Sequence, residues 1–242
     1  MRFRELYIPA IVFTIAVALT SVTAGSRGTA AHSLTVGEGF VDPIGFYDRS
    51  PVFSWKLPAS VKKQTAYRIE VSGDKSWDSG WVESDRSSFV PYDGKPFASR
   101  DRGEWRVRFR DEKGKDSGWS EPAHFELGLL SVADWSAKWI RPSQEIPSEG
   151  EPAAWLRRGF NVDKKIASAR VYVTARGLFE LHLNGIRVGN DHFANGLTSY
   201  TKRLDTLTYD VTGLLRDGGN KIEAMLGMGW YAGRFPFARR KG

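Results

Sequence analysis

The sequence predicts an all-β protein: a fibronectin type III or immunoglobulin-like β-sandwich followed by an incomplete jelly-roll β-sandwich. Three observations carry that prediction. Short runs alternate apolar and polar residues with the period of two that buries one face of a strand and leaves the other wet. Clusters of Gly, Asp, Asn, Ser and Pro interrupt these runs at short intervals, with no helical period between them. The 242 residues include no cysteine but nine Trp, 14 Phe and eight Tyr, so each unit must stand on an aromatic-rich core without disulfides.

The chain opens with Arg2 and Arg4, then an uncharged stretch from Leu6 to Val22, then the small residues Val22-Thr23-Ala24. This is the pattern of a secretory signal peptide, residues 1–24, cleaved near Ala24. The stretch contains Pro9 and is shorter than the ~20 apolar residues that span a bilayer. Export to the periplasm or the exterior is therefore expected, without stable membrane insertion after cleavage. The absence of cysteine excludes a lipid anchor through a modified Cys.

Residues 34–128 read as the first sandwich. Phe53 to Leu57, Tyr67 to Val71 and Trp105 to Arg110 alternate as strands, and turns fall at Gly73-Asp74, Asp93-Gly94 and Lys113-Gly114. Trp55 and Trp105 are expected in the core between the two sheets. Pro122 has no N–H to give a ladder and suits a sheet edge or a strand entry. Residues 129–152 read as a linker, whose Trp135 and Trp139 should dock onto a neighbour, because indoles on a free tether expose much apolar surface.

Residues 153–242 read as the second unit. Val171 to Thr174 and Phe179 to Leu183 are strands, with Phe179, Leu181 and Leu183 on one face and Glu180 and His182 on the other. Asn184-Gly185 is a type I′ turn signal leading into Ile186. Tyr209 to Leu215 and Lys221 to Leu226 flank the turn Asp217-Gly218-Gly219-Asn220. These strands and connections are longer than those of a second fibronectin module and suit a jelly roll, expected to be truncated because a hairpin needs further partners to bury its face.

The formal charge of +7 invites an anionic partner, but Arg106, Arg108 and Arg110 alternate with Trp105, Val107 and Phe109 as the solvated face of a strand. With export expected, no nucleic-acid partner is assigned. The four histidines at 32, 124, 182 and 192 lack zinc spacing, and there is no nucleophile elbow or phosphate-binding loop. Gly227, Gly229 and Gly233 have the wrong spacing for a dinucleotide fingerprint and read as a close-packed loop turning Trp230 and Tyr231 inward. Acidic residues such as Glu70, Asp111, Glu126 and Glu180 fall on turns and outward strand positions, where surface solubility accounts for them. No catalytic residue is assigned.

An ordered series of motifs runs through the chain: Gln64 to Ile69, Trp77 to Gly80, Phe125 to Leu130, Asp134 to Ile140, Leu183-Asn184-Gly185 with Val188-Gly189, Gly196 to Tyr200, Thr208 to Thr212, and Leu226 to Gly233. In order and spacing it resembles the amino-terminal region of bacterial α-L-rhamnosidases, glycoside hydrolase family 78. The resemblance implies a parent that hydrolyses terminal α-L-rhamnosides with inversion, using two carboxyls in an α/α-barrel that nothing in this chain resembles. It also implies a rhamnose-containing glycan as partner, with this region in a carbohydrate-binding or barrel-bracing role. A stand-alone carbohydrate-binding or adhesion module and an inactive gene fragment are the rival readings.

Two sets of binding residues follow. Trp155, Tyr200 and Trp230 are candidates for a platform that stacks on a sugar ring, with core packing as the alternative. Some jelly rolls associated with the family bind rhamnose through calcium, and the loop Gly189 to Gly196 offers oxygen donors at Asn190, Asp191 and Asn195. The loop departs from the family pattern, with Asn190 where Asp is common and Asn195 where Pro is common. A turn capped by its own Asx side chains fits the same residues. No other cofactor is required by any motif.

Overall fold

A computed structural model describes residues 29–142 and 153–232. The expected signal peptide, part of the linker and the end of the glycine block lie outside the described residues.

Nine strands build the amino-terminal sandwich: β1 (His32–Val36), β2 (Ile44–Phe46), β3 (Val52–Lys56), β4 (Gln64–Gly73), β5 (Trp77–Asp78), β6 (Val82–Glu83), β7 (Val90–Pro91), β8 (Arg102–Asp111) and β9 (Ala123–Leu127). One sheet has the order β1-β3-β7, and the other runs β2-β9-β8-β4-β5 with β6 also paired to β4. The long β4–β8 pair sets Tyr67 opposite Phe109, Ile69 opposite Val107 and Val71 opposite Trp105, so the alternation seen in sequence becomes one continuous apolar face. Phe53 from the facing sheet meets Trp105 with ring centroids 4.3 Å apart. Trp55, also buried, donates its indole N–H to Gln64 at 3.0 Å, and the Gln64 amide in turn donates to the carbonyls of Ser84 and Arg86. This satisfies the polar atoms of a buried glutamine that would otherwise oppose folding.

The outer face of β8 is more ordered than a solvated surface. The tetrapeptide Asp-Ser-Gly-Trp occurs twice, at 78–81 and 116–119, and folds the same way each time. Ser79 exchanges two hydrogen bonds with the backbone of Ile69 at 2.8 and 3.0 Å, and Ser117 does so with Phe109 at 3.0 and 2.9 Å. The Asp accepts from the Gly N–H two residues on, and the Gly takes a positive φ of 61° or 75°. Each turn thereby lays its Trp over the arginines of the sheet. Arg106 and Arg108 lie 4.5 and 4.7 Å from the Trp119 ring, and Arg108 and Arg110 lie 5.0 and 4.1 Å from that of Trp81. Arg68 pairs with Asp78 and Arg108 with Asp116, so the ladder is charge-compensated.

The segment after β9 is fastened rather than free. Asp134 accepts from the Ser99 hydroxyl and from both the N–H and hydroxyl of Ser131, the latter two at 2.9 Å. Trp139 is largely exposed, against the docking expected for it, and its contact is the Arg176 guanidinium 5.3 Å from the ring.

The second unit comprises β10 (Ala154–Val162), β11 (Arg170–Val173), β12 (Leu178–Leu183), β13 (Ile186–Arg187), β14 (Leu207–Asp210), β15 (Gly218–Gly227) and the one-turn helix α1 (Gly229–Ala232). A four-stranded sheet, β10-β15-β12-β13, faces the pair β11-β14. Phe179, Leu181 and Leu183 point into a core with Val188 and Val211, as their alternation predicts. Asn184 and Gly185 have φ of 54° and 82°, the left-handed pair that a type I′ turn requires. No residue of β11 or β14 is fully buried.

The two units meet where β2 packs on β14. Gly45 has φ 84°, and a Cβ there would stand 2.7 Å from the Thr208 side chain, so that side chain packs against the Gly45 backbone at a place only glycine permits. Beside this contact Glu126 is only 5% exposed. It accepts from Arg102 Nε at 3.0 Å and from Arg170 at 2.8 to 3.0 Å, while Arg170 also reaches Asp210 at 3.0 Å. Arg102 continues across to the Ser168 hydroxyl at 3.2 Å. Glu126 is thus a junction residue and not the surface carboxylate expected from sequence.

Candidate functional site

A cleft of about 780 Å³ opens on the second unit, lined by the loop from Asp191 to Gly196, by Leu178, Asp205 and Leu207, and by Gly229 and Trp230 of α1. The loop is pinned to β12 by a two-way pair of backbone hydrogen bonds between Ala194 and Phe179, both 3.1 Å. On either side of that pin Phe193 and Asn195 adopt left-handed φ of 51° and 75°, a conformation costly for residues with a side chain. The two reversals throw Phe193 outward, 64% exposed, and turn Asn195 inward, 6% exposed.

Asn195 lines the cleft from a buried position. Its amide Nδ2 donates to the Ala175 carbonyl at 2.6 Å, which fixes the amide orientation. Its Oδ1 is then buried with no donor. Such an orphan acceptor costs ~1–3 kcal/mol. Asp205 is held through its main chain, its carbonyl accepting from the Thr174 hydroxyl at 2.8 Å, and its carboxylate lies against Gly196, with Oδ2 3.3 Å from where a Cβ on that residue would be. Gly229 brings α1 against β12, for a Cβ there would stand 2.6 Å from the Leu178 side chain. This close approach sets Trp230 at the cleft with half its surface exposed, at 50%.

Asp191 accepts from the Tyr209 hydroxyl at 2.8 Å. Burial, and then the Asp191 acceptor, hold the Tyr209 hydroxyl well above the ordinary phenol range, so it stays a donor. Next to it His192 contacts Arg187 at 2.8 Å and the Glu180 carboxylate at 3.3 Å.

The structure brings together three of the six residues named from sequence, Asp191, Asn195 and Trp230. Of the three oxygen donors named for calcium, Asp191 and Asn195 share the lining, with the Asp191 carboxylate accepting from Tyr209, and Asn190 is exposed and outside it. Among the described residues no group of three His, Asp or Glu could hold a metal ion. Trp155 stands elsewhere, half-exposed on the outer face of the four-stranded sheet over His182, with centroids 5.6 Å apart. Tyr200 packs edge-on against Tyr231 at 5.5 Å. Trp230 and Tyr231 do not turn into the core as expected, because a single helical turn at the surface carries them and Tyr231 is spent on Tyr200 and Arg176. Sequence reasoning missed Phe193 and Asp205, which lie in unpatterned loop sequence and gain meaning only from the cleft.

Fold and cleft together define a β-rich region of two units with an open cleft on the second. Residues 31–131 match the family described as Rha78A-like, N-terminal immunoglobulin domain, and residues 164–242 match the family described as Alpha-L-rhamnosidase N-terminal domain. The chain belongs to the amino-terminal region of the α-L-rhamnosidases. It is 43% identical to an α-L-rhamnosidase of Alteromonas sp. (strain LOR) over 93% of this chain and 26% of that protein, and 38% identical to one of Formosa agariphila over 94% of this chain and 26% of that protein. The chain therefore spans about a quarter of the length of these curated relatives. Among solved structures, α-L-rhamnosidases from Dictyoglumus thermophilum and Aspergillus terreus superpose with a TM-score of 0.75 each, at 34% and 33% identity, covering 84% and 86% of this chain and 25% of each of theirs.

Proposed function

We propose that this chain is the non-catalytic accessory part of an exported α-L-rhamnosidase, a rigid two-unit brace that also contacts the rhamnose-containing glycan. The reaction of the parent, hydrolysis of terminal α-L-rhamnosides, belongs in this reading to a catalytic barrel that the described residues do not include. The observation that carries the bracing role is the junction at Glu126, where two arginines from different units converge on one buried carboxylate beside the Gly45–Thr208 contact. A hinge would be solvated and loosely packed, whereas this joint is neither. The second unit is read as part of a jelly roll, with the half-covered pair β11-β14 as the sheet that further strands complete. Export rests on the basic, uncharged and small-residue pattern of residues 1–24.

Affinity electrophoresis of the purified chain tests the glycan contact. Migration is expected to slow in gels containing a rhamnose-rich polysaccharide and to be unchanged in gels containing a rhamnose-free glucan. Equal migration in both would overturn it.

A further inference from the structure

We propose that the groove at the end of the four-stranded sheet, where β10 runs beside β15, is a site for the sulfate or carboxylate groups of an anionic polysaccharide. The groove shares no residue with the loop cleft, and the proposal goes beyond the bracing and rhamnose-glycan readings.

The groove has a volume of about 660 Å³ and is lined by Gly159, Gly219, Asn161 and Asn184 together with Arg216 and Lys221. Its floor lacks side chains for no reason internal to the fold. Glycine within a strand costs stability, and it marks places where a ligand or another backbone comes close. Gly159 and Gly219 both lie in paired strands, and neither has a positive φ. A Cβ on Gly159 would meet nothing nearer than the Asn220 carbonyl at 3.8 Å, and one on Gly219 nothing nearer than Asn161 Oδ1 at 3.9 Å. Packing does not call for glycine at either position, whereas a chain laid along the floor does.

Two asparagines set the cations at the rim. Asn220, which is buried, accepts from the Arg216 N–H at 2.9 Å and donates to the Arg216 carbonyl at 2.7 Å. It also accepts from Asn184 Nδ2 at 2.8 Å, and Asn184 Oδ1 accepts from the Lys221 N–H at 2.9 Å. The main chains of Arg216 and Lys221 are thus fixed while both residues stay exposed. Among the described residues Arg216 has no ion pair, and Lys221 shares Glu223, at 3.0 Å, with Arg157, at 4.0 Å. Lys164 and Lys165 follow β10 at the same end of the sheet, exposed and likewise without an ion pair among the described residues, with Asp163 and Asp217 as the carboxylates beside them. Cations outnumber carboxylates here, whereas in the described part of the first unit Lys and Arg are matched by Asp and Glu. Fixed cations beside an open floor suit the charged groups of an extended polymer. The export proposed above makes that polymer a polysaccharide rather than a nucleic acid.

Surface plasmon resonance of the full chain on immobilised dextran sulfate, polygalacturonate and unsubstituted dextran provides the test. Binding to at least one of the anionic polymers, falling steeply with added salt, and none to dextran is expected. Arg216→Ala combined with Lys221→Ala should weaken it by about tenfold or more, the loss of charged hydrogen bonds. Lys113→Ala combined with Lys115→Ala removes the same charge from the first unit and should leave affinity within about twofold. Gly159→Thr fills the floor, so it should weaken binding by about tenfold while its unfolding midpoint stays equal to or above that of the parent chain. No binding to either anionic polymer, equal losses in the two charge variants, or a Gly159→Thr variant that keeps its affinity or loses stability would overturn the assignment. Retardation by rhamnose-rich polysaccharide without binding to either anionic polymer would leave the glycan reading standing and sink this one.

Discussion

Glu126 at the end of the amino-terminal sandwich accepts three hydrogen bonds of 2.8 to 3.0 Å from Arg170 at the start of β11, 44 residues further along the chain. Both side chains are nearly removed from water, and Arg102 and Asp210 complete the network on either side. The joint between the two units is thus electrostatic at its centre and backed by the packing of the Thr208 side chain on the Gly45 backbone.

Removing one partner of such a pair strands the other in a dry site. Glu126→Ala is expected to lower stability by about 3 kcal/mol, measured by denaturant unfolding of the whole chain. Arg170→Ala should cost a similar amount, and the double variant should cost less than the sum. Full additivity would mean that the two side chains do not interact.

Gly45→Ala probes the same joint through the backbone. The new methyl meets Thr208 and must accept a positive φ, so a loss of more than about 1 kcal/mol is expected. Compared with Thr208→Gly alone, the Gly45→Ala substitution should cost less in the Thr208→Gly background, since that background lacks the Cβ and Oγ1 the methyl meets and leaves only the strain. The difference is read from the unfolding midpoint, and its absence would show that Thr208 is not what the methyl strikes.

The junction also sets an acid limit. Hydrogen bonds from the Thr212 hydroxyl and N–H, followed by the charges of Arg170 and Arg102, hold Asp210 below the ordinary aspartate value of 3.8. A carboxyl depressed in the folded state contributes its full stability above the unfolded value and loses it as pH falls through the folded one. Thermal stability should therefore decline as pH drops from about 4 downward, and Asp210→Asn should flatten that decline. An identical acid profile in the variant would contradict the role given to Asp210.

The Trp-Arg ladder yields a prediction in the first sandwich. Trp119 stacks on Arg106 and Arg108, so Trp119→Ala should destabilise by about 1–2 kcal/mol, and Trp119→Phe by less, in denaturant unfolding. Equal losses in the two variants would count against the ring contact.

What could be read from sequence divides along physical lines. The period-two runs of β4, β8 and β12 gave their buried faces, because alternation is local and one side of each strand is covered by its own unit. For the outer face of β8 the arginine spacing shows only which way those residues point, which predicts a solvated surface. It does not show that Trp81 and Trp119 arrive over them from two copies of one turn. Glu126 breaks the alternation of β9 because its burial comes from the other unit. In the cleft, Asp191, Asn195 and Trp230 are legible from residue type and family resemblance; Asn195 suits its left-handed backbone, but Phe193 does not, and the reversal there has no local signal.

The claim that this region braces and binds but does not catalyse is tested most directly by incubating the purified full chain with p-nitrophenyl α-L-rhamnopyranoside. No release of p-nitrophenol above a heat-treated control is expected, at any pH where the protein is folded. Reproducible turnover that saturates with substrate would contradict the account.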